Sequence, residues 1–385
     1  MLPENQKDKN YKLIRNVSFI STVFNEEKSI NSFLKSFFEQ KYLPEEIIFV
    51  DGGSTDKTIE IIRDFFLRRI NNDLGFKTIE TGKKDDFKLK NVKGIELIGS
   101  YEVLKSKAAN EDDIRLSVVL LQKIKANISE GRNIAIDCSE NEIICASDAG
   151  CILDRNWVYE ITKFEIPVKD EEDNHKQYNI VGGYNHPVAL SFSEKILAMC
   201  IMPRLKEIKP DKFMPSSRNI SFKKSAWEKA GGYPESLDYG EDMKFNFNLR
   251  KAGYNIGFNP DAIVYWRMRE NIILIFKQFF RYSKGDARAG MYLYRHIIRF
   301  FSFFCFAAVL AVSIIFSPWF LLIYLPLFAG YVYKPFSRLN YTFKHEKNNF
   351  YRFFKKTAAI IAAPIMHIYI DMAKMTGYIY GIVKK

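Results

Sequence analysis

The chain is short of cysteine and histidine. Its five cysteines, Cys138, Cys145, Cys151, Cys200 and Cys305, are an odd set without a CxxC pair. That excludes a zinc framework or a disulfide-stapled fold and reads as reduced thiols of a cytosolic domain. The first 16 residues, MLPENQKDKNYKLIRN, lack an apolar core, so no signal peptide is expected. Glycine and positive charge are missing after the first strand-like segment, where STVFNEE is acidic. A nucleotidyltransferase needs both there to hold a triphosphate. Charge itself is absent from Phe300 to Tyr333, a run of 34 residues.

What is there explains that last gap. The net charge of +12 fits either nucleic acid or an anionic membrane surface, and its location decides. Arg281 to Arg299 holds five basic residues and one acid, and Lys334 to Lys356 holds seven and one. Basic clusters bracketing an apolar run belong to a membrane interface, not to a nucleic-acid site. As one helix the run would be ~51 Å long against a hydrocarbon core of ~30 Å. Ser317-Pro318 near its middle is a natural break. The expectation is a transmembrane or re-entrant helical hairpin over 300–333, preceded by amphipathic basic juxtamembrane helices over 271–299. A basic loop and an interfacial or re-entrant helix follow over 334–385. That last segment holds Pro364, His367, Asp371 and Lys374, with a GxxxG spacing at Gly377 and Gly381.

The N-terminal part alternates. VSFISTVF (17–24) and EEIIFVD (45–51) are apolar and rich in β-branched residues, as in buried strands. Between them NEEKSINSFLKSFFEQ places Ile30, Phe33, Leu34, Phe37 and Phe38 on one helical face. STDKTIEIIRDFFLRRI reads as a second helix capped by Ser54 or Thr55, and NEIICASDAG as a further strand ending in an acidic turn. Strand and helix in alternation with short links imply a mostly parallel α/β sheet, here over 1–270. Residues 82–126 are charged and break the alternation; they are expected as a surface insertion.

In such a sheet ligands bind beyond the carboxyl ends of the strands. Those ends present Asn25 and Glu26, Asp51 and Asp56, and Asp148. Each alone fits a turn. Carboxylates gathered at one edge repel one another unless a cation or hydrogen-bond donors intervene, which points to a polar ligand. Further on, Gly240 precedes Glu241 and Asp242 at the start of a helical stretch. Acids are favoured in any first helical turn, so cap and chemistry both remain open on this stretch alone.

STVFNEE, VDGGSTDKT, SEGRNIAI, ASDAGC, SSRNISFKKSAWEKAGGYPE and YGEDMKFNFNLRKAGY follow one another in this order. Together they resemble the family 2 glycosyltransferases, inverting enzymes with the GT-A fold, over about residues 15–290. The resemblance implies a nucleotide-diphosphate sugar donor. It places Asn25 and Glu26 in the first nucleotide loop, Asp51 at the base, and Arg132 near the nucleotide or diphosphate. Asp148 falls at the start of the DxD motif, with a divalent cation, Mg²⁺ or Mn²⁺. Asp242 falls on the catalytic base, with Glu241 capping the helix or orienting the acceptor. QFFRY (278–282) resembles the QxxRW motif of membrane synthases, putting Gln278 and Arg281 near acceptor and diphosphate. Two departures stand out: DxD reads Asp148-Ala149-Gly150, without its second acid, and Tyr282 replaces the tryptophan of QxxRW. The first puts the metal in question, the second a processive polymerase.

The expected protein is therefore a membrane-associated inverting glycosyltransferase at the cell membrane. Its catalytic domain is cytoplasmic, and it acts on a lipid-linked, saccharide or otherwise membrane-delivered acceptor. A processive polysaccharide synthase and a non-catalytic membrane scaffold are the rivals. His186 reads as an ordinary loop histidine, Asn127-Ile128-Ser129 as an unused sequon, and Trp157, Trp227 and Trp266 as core or acceptor-groove walls.

Overall fold

A computed structural model describes residues 11–81, 94–105, 113–165, 178–346 and 348–384. It divides into two compact units: Met1–His186 with Lys209–Trp266, and Pro187–Ile208 with Arg267–Lys385.

The first unit is built on ten strands among the described residues. In chain order its elements are β1 (Lys12–Val23), α1 (Ile30–Phe38), β2 (Tyr42–Asp51), α2 (Thr58–Asp64), α3 (Ile70–Leu74), β3 (Lys77–Glu80), β4 (Glu96–Lys105), β5 (Ile114–Gln122), α4 (Ile128–Cys138), β6 (Ile143–Ala146), β7 (Cys151–Leu153) and α5 (Trp157–Thr162). Then come β8 (Ile180–Val188), β9 (Ile220–Lys223), α7 (Lys224–Ala230), α8 (Glu241–Lys251) and β10 (Ile256–Arg267); α6 (Phe192–Ile201) belongs to the second unit. The sheet order is β3-β4-β5-β2-β1-β6-β9-β8-β10-β7. Its centre, β5-β2-β1-β6, is parallel, while β3, β4, β7 and β9 pair antiparallel.

Side-chain alternation along the central strands builds two cores, one on each face. Phe19, Ile47, Phe49, Val118 and Leu120 point to α1, α2 and α5; Ile20, Ile48, Val50, Val119 and Leu121 point to α4, α7 and α8. On the first face Phe19 lies 4.5 Å from Phe37 and 6.0 Å from Phe33 and Trp157, ring centre to ring centre. Both faces are buried, which is why these strands read as continuous apolar runs.

Two expectations are corrected. The segment 82–126 is not a surface insertion where it is described. β5 lies inside the sheet beside β2, with Val118 to Leu121 fully buried, and β4 pairs with β5. The rest of that expectation, 82–93 and 106–112, lies outside the described residues. Helix α2 begins at Thr58 and its cap position is Lys57, with no side-chain cap; Ser54 and Thr55 are used elsewhere.

The second unit contains α6, α9 (Ile272–Ala289), α10 (Leu293–Ile315), α11 (Tyr324–Ser337), α12 (Leu339–Thr342) and α13 (Asn349–Val383). The apolar run breaks at Phe316-Ser317, just before Pro318 opens a short 3₁₀ turn. Three helical segments, Leu293–Ile315, Pro318–Thr342 and Asn349–Val383, are long and apolar enough to cross a membrane. The last, read from sequence as interfacial or re-entrant, is one continuous helix of 35 residues around Pro364. It packs along α9: a side chain at Gly377 would run into the backbone of Phe280, and one at Gly381 into that of Lys284. The GxxxG spacing thus lets two backbones approach. Arg299 donates to Asp371 at 2.7 Å and Tyr331 donates to the same carboxylate at 2.8 Å, so charge inside these helices is paired.

Candidate active site

Three of the four parallel strands end level with one another: Val23 stands opposite Asp51, and Asp51 opposite Gln122, while β6 ends at Ala146, opposite Ile20. Beyond β1 the chain turns through Asn25, which adopts a left-handed backbone (φ 54°) that asparagine tolerates better than most residues. Asn25 is tied to the loop after β2. Its N–H donates to Ser54 Oγ at 2.9 Å, and its side-chain oxygen accepts from Thr55 N–H at 2.9 Å. Glu26 N–H donates to Thr58 Oγ1 at 2.8 Å. Asp51 is fully buried and organises the other side of this pair of loops. Its carboxylate accepts from Gly53 N–H (2.8 Å), Ser54 N–H (2.9 Å), Ser54 Oγ (2.5 Å) and Gln122 Nε2 (2.8 Å). Phe24 and Ile124 remain exposed beside Gly52 and Gly53.

The second half of the site is centred on Arg132. Asn127 caps α4 by accepting from Glu130 N–H at 2.9 Å, so the sequon asparagine has a structural task and Ser129 is buried. One turn on, Arg132 is only 4 % exposed. It donates to Glu241 Oε1 at 2.8 Å and to Asp148 Oδ1 at 3.1 Å, and its guanidinium lies 5.3 Å from the Tyr233 ring centre. The other oxygen of Asp148 faces Arg218 Nε at 3.6 Å. Arg218 in turn stacks on Trp266 at 4.0 Å.

Glu241 and Asp242 form the first turn of α8 behind Gly240, whose φ of 78° is open to glycine at little cost. Asp242 accepts from Met243 N–H at 2.7 Å. No side chain caps this helix. The expected capping role of Glu241 is therefore corrected: its carboxylate is turned onto Arg132 instead. Burial, then the charge of Asp242, pushes Glu241 up to about 7, Arg132 notwithstanding. Burial also raises Asp242, against the pull of Arg132 and Arg218. Burial works against the charge of Arg132 as well, yet Asp148 and Glu241 hold it above the ordinary arginine value. Three carboxylates thus face two guanidinium groups in a partly desolvated recess.

Metal-ligating capacity is limited. Among the described residues no three His, Cys, Asp or Glu side chains converge. Asp148 is approached by an arginine on each oxygen. Glu26 stands next to the Asp148–Gly150 turn, 3.6 Å from where a Cβ at residue 150 would lie. This set suits a cation that takes most of its ligands from a bound phosphate and water. His186 packs between the rings of Tyr184 and Tyr265, 6.1 and 5.4 Å away.

Asn25, Glu26 and Asp51 therefore share one cluster of loops, while Arg132, Asp148 and Glu241 share ion pairs beside Asp242. Gln278 and Arg281 lie on α9 of the second unit. Gln278 is buried and donates to Tyr282 Oη at 2.9 Å, while Arg281 is exposed. Sequence reasoning missed Arg218, Gln122 and Tyr233. SSRN and GGYPE stand out as motifs, but nothing local shows that Arg218 turns toward Asp148 and Tyr233 toward Arg132.

Residues 18–94 match Glycosyl transferase family 2, and residues 188–335 match Glycosyl transferase family group 2, together more than half of the chain. The poly-β-1,6-N-acetyl-D-glucosamine synthase of Staphylococcus epidermidis is 23 % identical over 278 residues, 71 % of this chain and 55 % of that protein. The chain thus spans about half the length of that relative. The dolichyl N-acetyl-α-D-glucosaminyl phosphate 3-β-D-2,3-diacetamido-2,3-dideoxy-β-D-glucuronosyltransferase of Methanococcus voltae is 23 % identical over 293 residues, 74 % of this chain and 78 % of that protein. Among solved structures, the mannosyltransferase PcManGT of Pyrobaculum calidifontis, in complex with GDP-Man and Mn²⁺, aligns at 15 % identity and a TM-score of 0.46, covering 96 % of this chain and 86 % of that one. The two family matches carry the assignment: built on a mixed α/β sheet with a parallel centre, the chain belongs to glycosyltransferase family 2.

Proposed function

We propose that this chain transfers a sugar from a nucleotide-diphosphate sugar to an acceptor hydroxyl, with inversion, and that the acceptor is lipid-linked or membrane-delivered. The observation that carries the reading is the placement of Asp242 beside the Arg132–Glu241–Asp148 ion pairs, in the unit whose parallel strand ends hold the Asn25–Asp51 loops. Asn25, Glu26 and Asp51 order the loops that receive the nucleotide, and exposed Phe24 and Ile124 offer apolar surface to a base. The acceptor oxygen attacks the anomeric carbon as the bond from that carbon to the diphosphate oxygen breaks. The acceptor proton passes to Asp242, and the bonding pair leaves with the nucleoside diphosphate. Arg132 keeps positive charge next to Asp148 as the leaving group gains negative charge. A divalent cation, Mg²⁺ or Mn²⁺, held by Asp148 and the donor's own oxygens, supplies further neutralisation when bound. Gln278 and Arg281 are assigned to the acceptor side, and similarity to the dolichyl-phosphate-linked transferase favours a lipid-linked acceptor. Processive polymerisation is the second reading, favoured by similarity to the synthase; product length separates the two.

A thermal-shift screen of nucleotide sugars tests the donor class, since a ligand that binds only the native state raises stability with the logarithm of its concentration. No shift and no hydrolysis with any nucleotide sugar would leave the scaffold reading.

The pH profile follows from the buried pair. Glu241 and Asp242 share a raised affinity for protons, so their titration belongs to the pair. Glu241 takes up its proton at about 7, and on further acidification Asp242, whose proton affinity burial raises, takes up its own and the free base is depleted. The kcat/KM for transfer is expected to rise with pH through a midpoint above the ordinary aspartate range. Glu241→Gln removes the like charge and should move the midpoint down. An unshifted midpoint would mean that Glu241 has no part in the titration.

We further place the second unit in the cell membrane, with its basic segment around Lys344 on the cytoplasmic side. Phe301, Phe304, Ile314 and Trp319 expose apolar surface between the two basic clusters. Single cysteines at Lys344 and near Trp319 should react differently in sealed vesicles of opposite orientation. Labelling of position 344 from the outer face contradicts this topology.

A further inference from the structure

Asp51, the residue expected at the base, is closed off by its own donors. It is fully buried, with Oδ2 accepting from Gly53 N–H, Ser54 N–H and Gln122 Nε2 and Oδ1 accepting from Ser54 Oγ. A base reaches it only by opening the loop. Gln122, the last residue of β5, stands opposite Asp51 and is partly exposed. Its amide is fixed in one sense. A carboxylate has no hydrogen to give, so the end that meets Asp51, at 2.8 Å, is Nε2 and the far end is Oε1. Among the described residues Oε1 has no hydrogen-bond partner, and it is not sealed from solvent. A glutamine with a free amide offers a ligand either a donor or an acceptor. Turning this one would set Oε1 against the Asp51 carboxylate and lose a hydrogen bond to a charged acceptor. Gln122 is therefore an acceptor for whatever binds beside it.

The surroundings suit a flat ring. A Cβ on Gly52 would lie 3.5 Å from the Phe24 ring, and one on Gly53 would lie 3.5 Å from the Ile124 side chain. Both of those side chains are exposed. A nucleobase laid on such surface gives its face to apolar contact and leaves its hydrogen-bonding edge to be read by a fixed polar group. We propose that Gln122 is the base-reading residue, its Oε1 accepting from the ring N–H of uracil or guanine, and that Asp51 is the positioning residue that holds the amide in this sense. The inference rests on the donor reading above and adds to it the class of base. Cytosine and adenine carry a lone pair where uracil and guanine carry that N–H, so against a fixed acceptor they lose the hydrogen bond and meet a repulsion.

Calorimetric titration of the full chain in detergent with UDP, CDP, GDP and ADP, Mn²⁺ present throughout, tests this without turnover. Within each pair, UDP with CDP and GDP with ADP, the probes share ring size, sugar and diphosphate and differ at the pairing edge. Wild type should bind UDP over CDP, or GDP over ADP, roughly ten- to hundredfold more tightly. In Gln122→Met, which keeps the length of the side chain without the amide, that ratio should fall close to one, chiefly through weaker binding of the preferred probe. In Asp51→Asn the amide is free to turn, and the disfavoured probe should bind more tightly than it does to wild type. Melting temperatures without nucleotide report whether the variants fold; Gln122→Leu replaces Gln122→Met if that one does not, and the wild-type ratio needs no variant. If Gln122 only braces the Asp51 loop, both members of a pair weaken by the same factor. An unchanged ratio in the variants overturns the proposal, as does a wild type that favours neither member of a pair or prefers CDP or ADP, and the donor reading then stands. Failure of wild type to bind any of the four probes overturns both.

Discussion

Replacing Asp242 by asparagine should leave nucleotide binding intact and lower transfer by ~10²–10⁴-fold, the usual cost of losing a general base. The change is nearly isosteric. The hydrogen bond that Met243 N–H donates to the side chain can still be accepted by the amide oxygen, so the first turn of α8 should keep its shape. What disappears is proton affinity, which burial has raised above the ordinary aspartate value. A sugar hydroxyl attacks poorly unless its proton is removed as the new bond forms. The loss should appear in kcat with KM for the donor little changed, because an interaction made only in the transition state has been removed. Turnover at the wild-type rate with an unchanged pH profile would make Asp242 a residue of the helix start and nothing more.

Arg132→Met should destabilise the first unit by about 3–5 kcal/mol, the range for removing one partner of a buried ion pair. Arg132 is the buried counter-charge of both Asp148 and Glu241. Methionine fills comparable space but leaves Glu241, itself 7 % exposed, without its cation. For a unit of this size the melting temperature should fall by roughly 10 °C or more. The pH dependence separates this from a packing defect. Glu241 has a raised pKa in the folded protein, so its ionised form is the costly one. Its penalty is absent where it is protonated and grows as pH rises through the folded value. The gap between variant and wild type should therefore narrow on acidification, before general acid unfolding begins. Arg132→Lys should lose less, since it keeps the charge but not the two-pronged geometry. A variant that melts with wild type at every pH would show that Glu241 finds another partner.

Much of the strand-end chemistry was legible because it is local. Asn25, Glu26 and Asp51 follow apolar, β-branched segments within one or two residues, so calling the strand also places the side chain at the sheet edge. The same holds for Asp148 after β6. The segment 94–122 was illegible for a physical reason. β4 exposes one face and pairs antiparallel beyond the parallel centre, and β5 follows a charged stretch, so neither continues the strand–helix alternation. Ser54 resembled a helix cap because serine is a good cap, but Asp51 three residues earlier captures it first.

The sequence by itself determined the α/β alternation, the acids at the strand ends, the uncharged run with its break at Ser317-Pro318 and the basic clusters around it. These are properties of neighbours along the chain, set by side-chain period, turn chemistry and hydropathy. Only the tertiary structure decided that Arg132 pairs with Glu241, 109 residues away, that Arg218 rests on Trp266 beside Asp148, and that β5 sits next to β2. Such contacts depend on strand order. β1 stands between β2 and β6, and β9 lies beside β6, which brings the Asp148 turn and the Arg218 segment to one edge. No local propensity encodes that order, because it is chosen by how both faces of one sheet are covered at once.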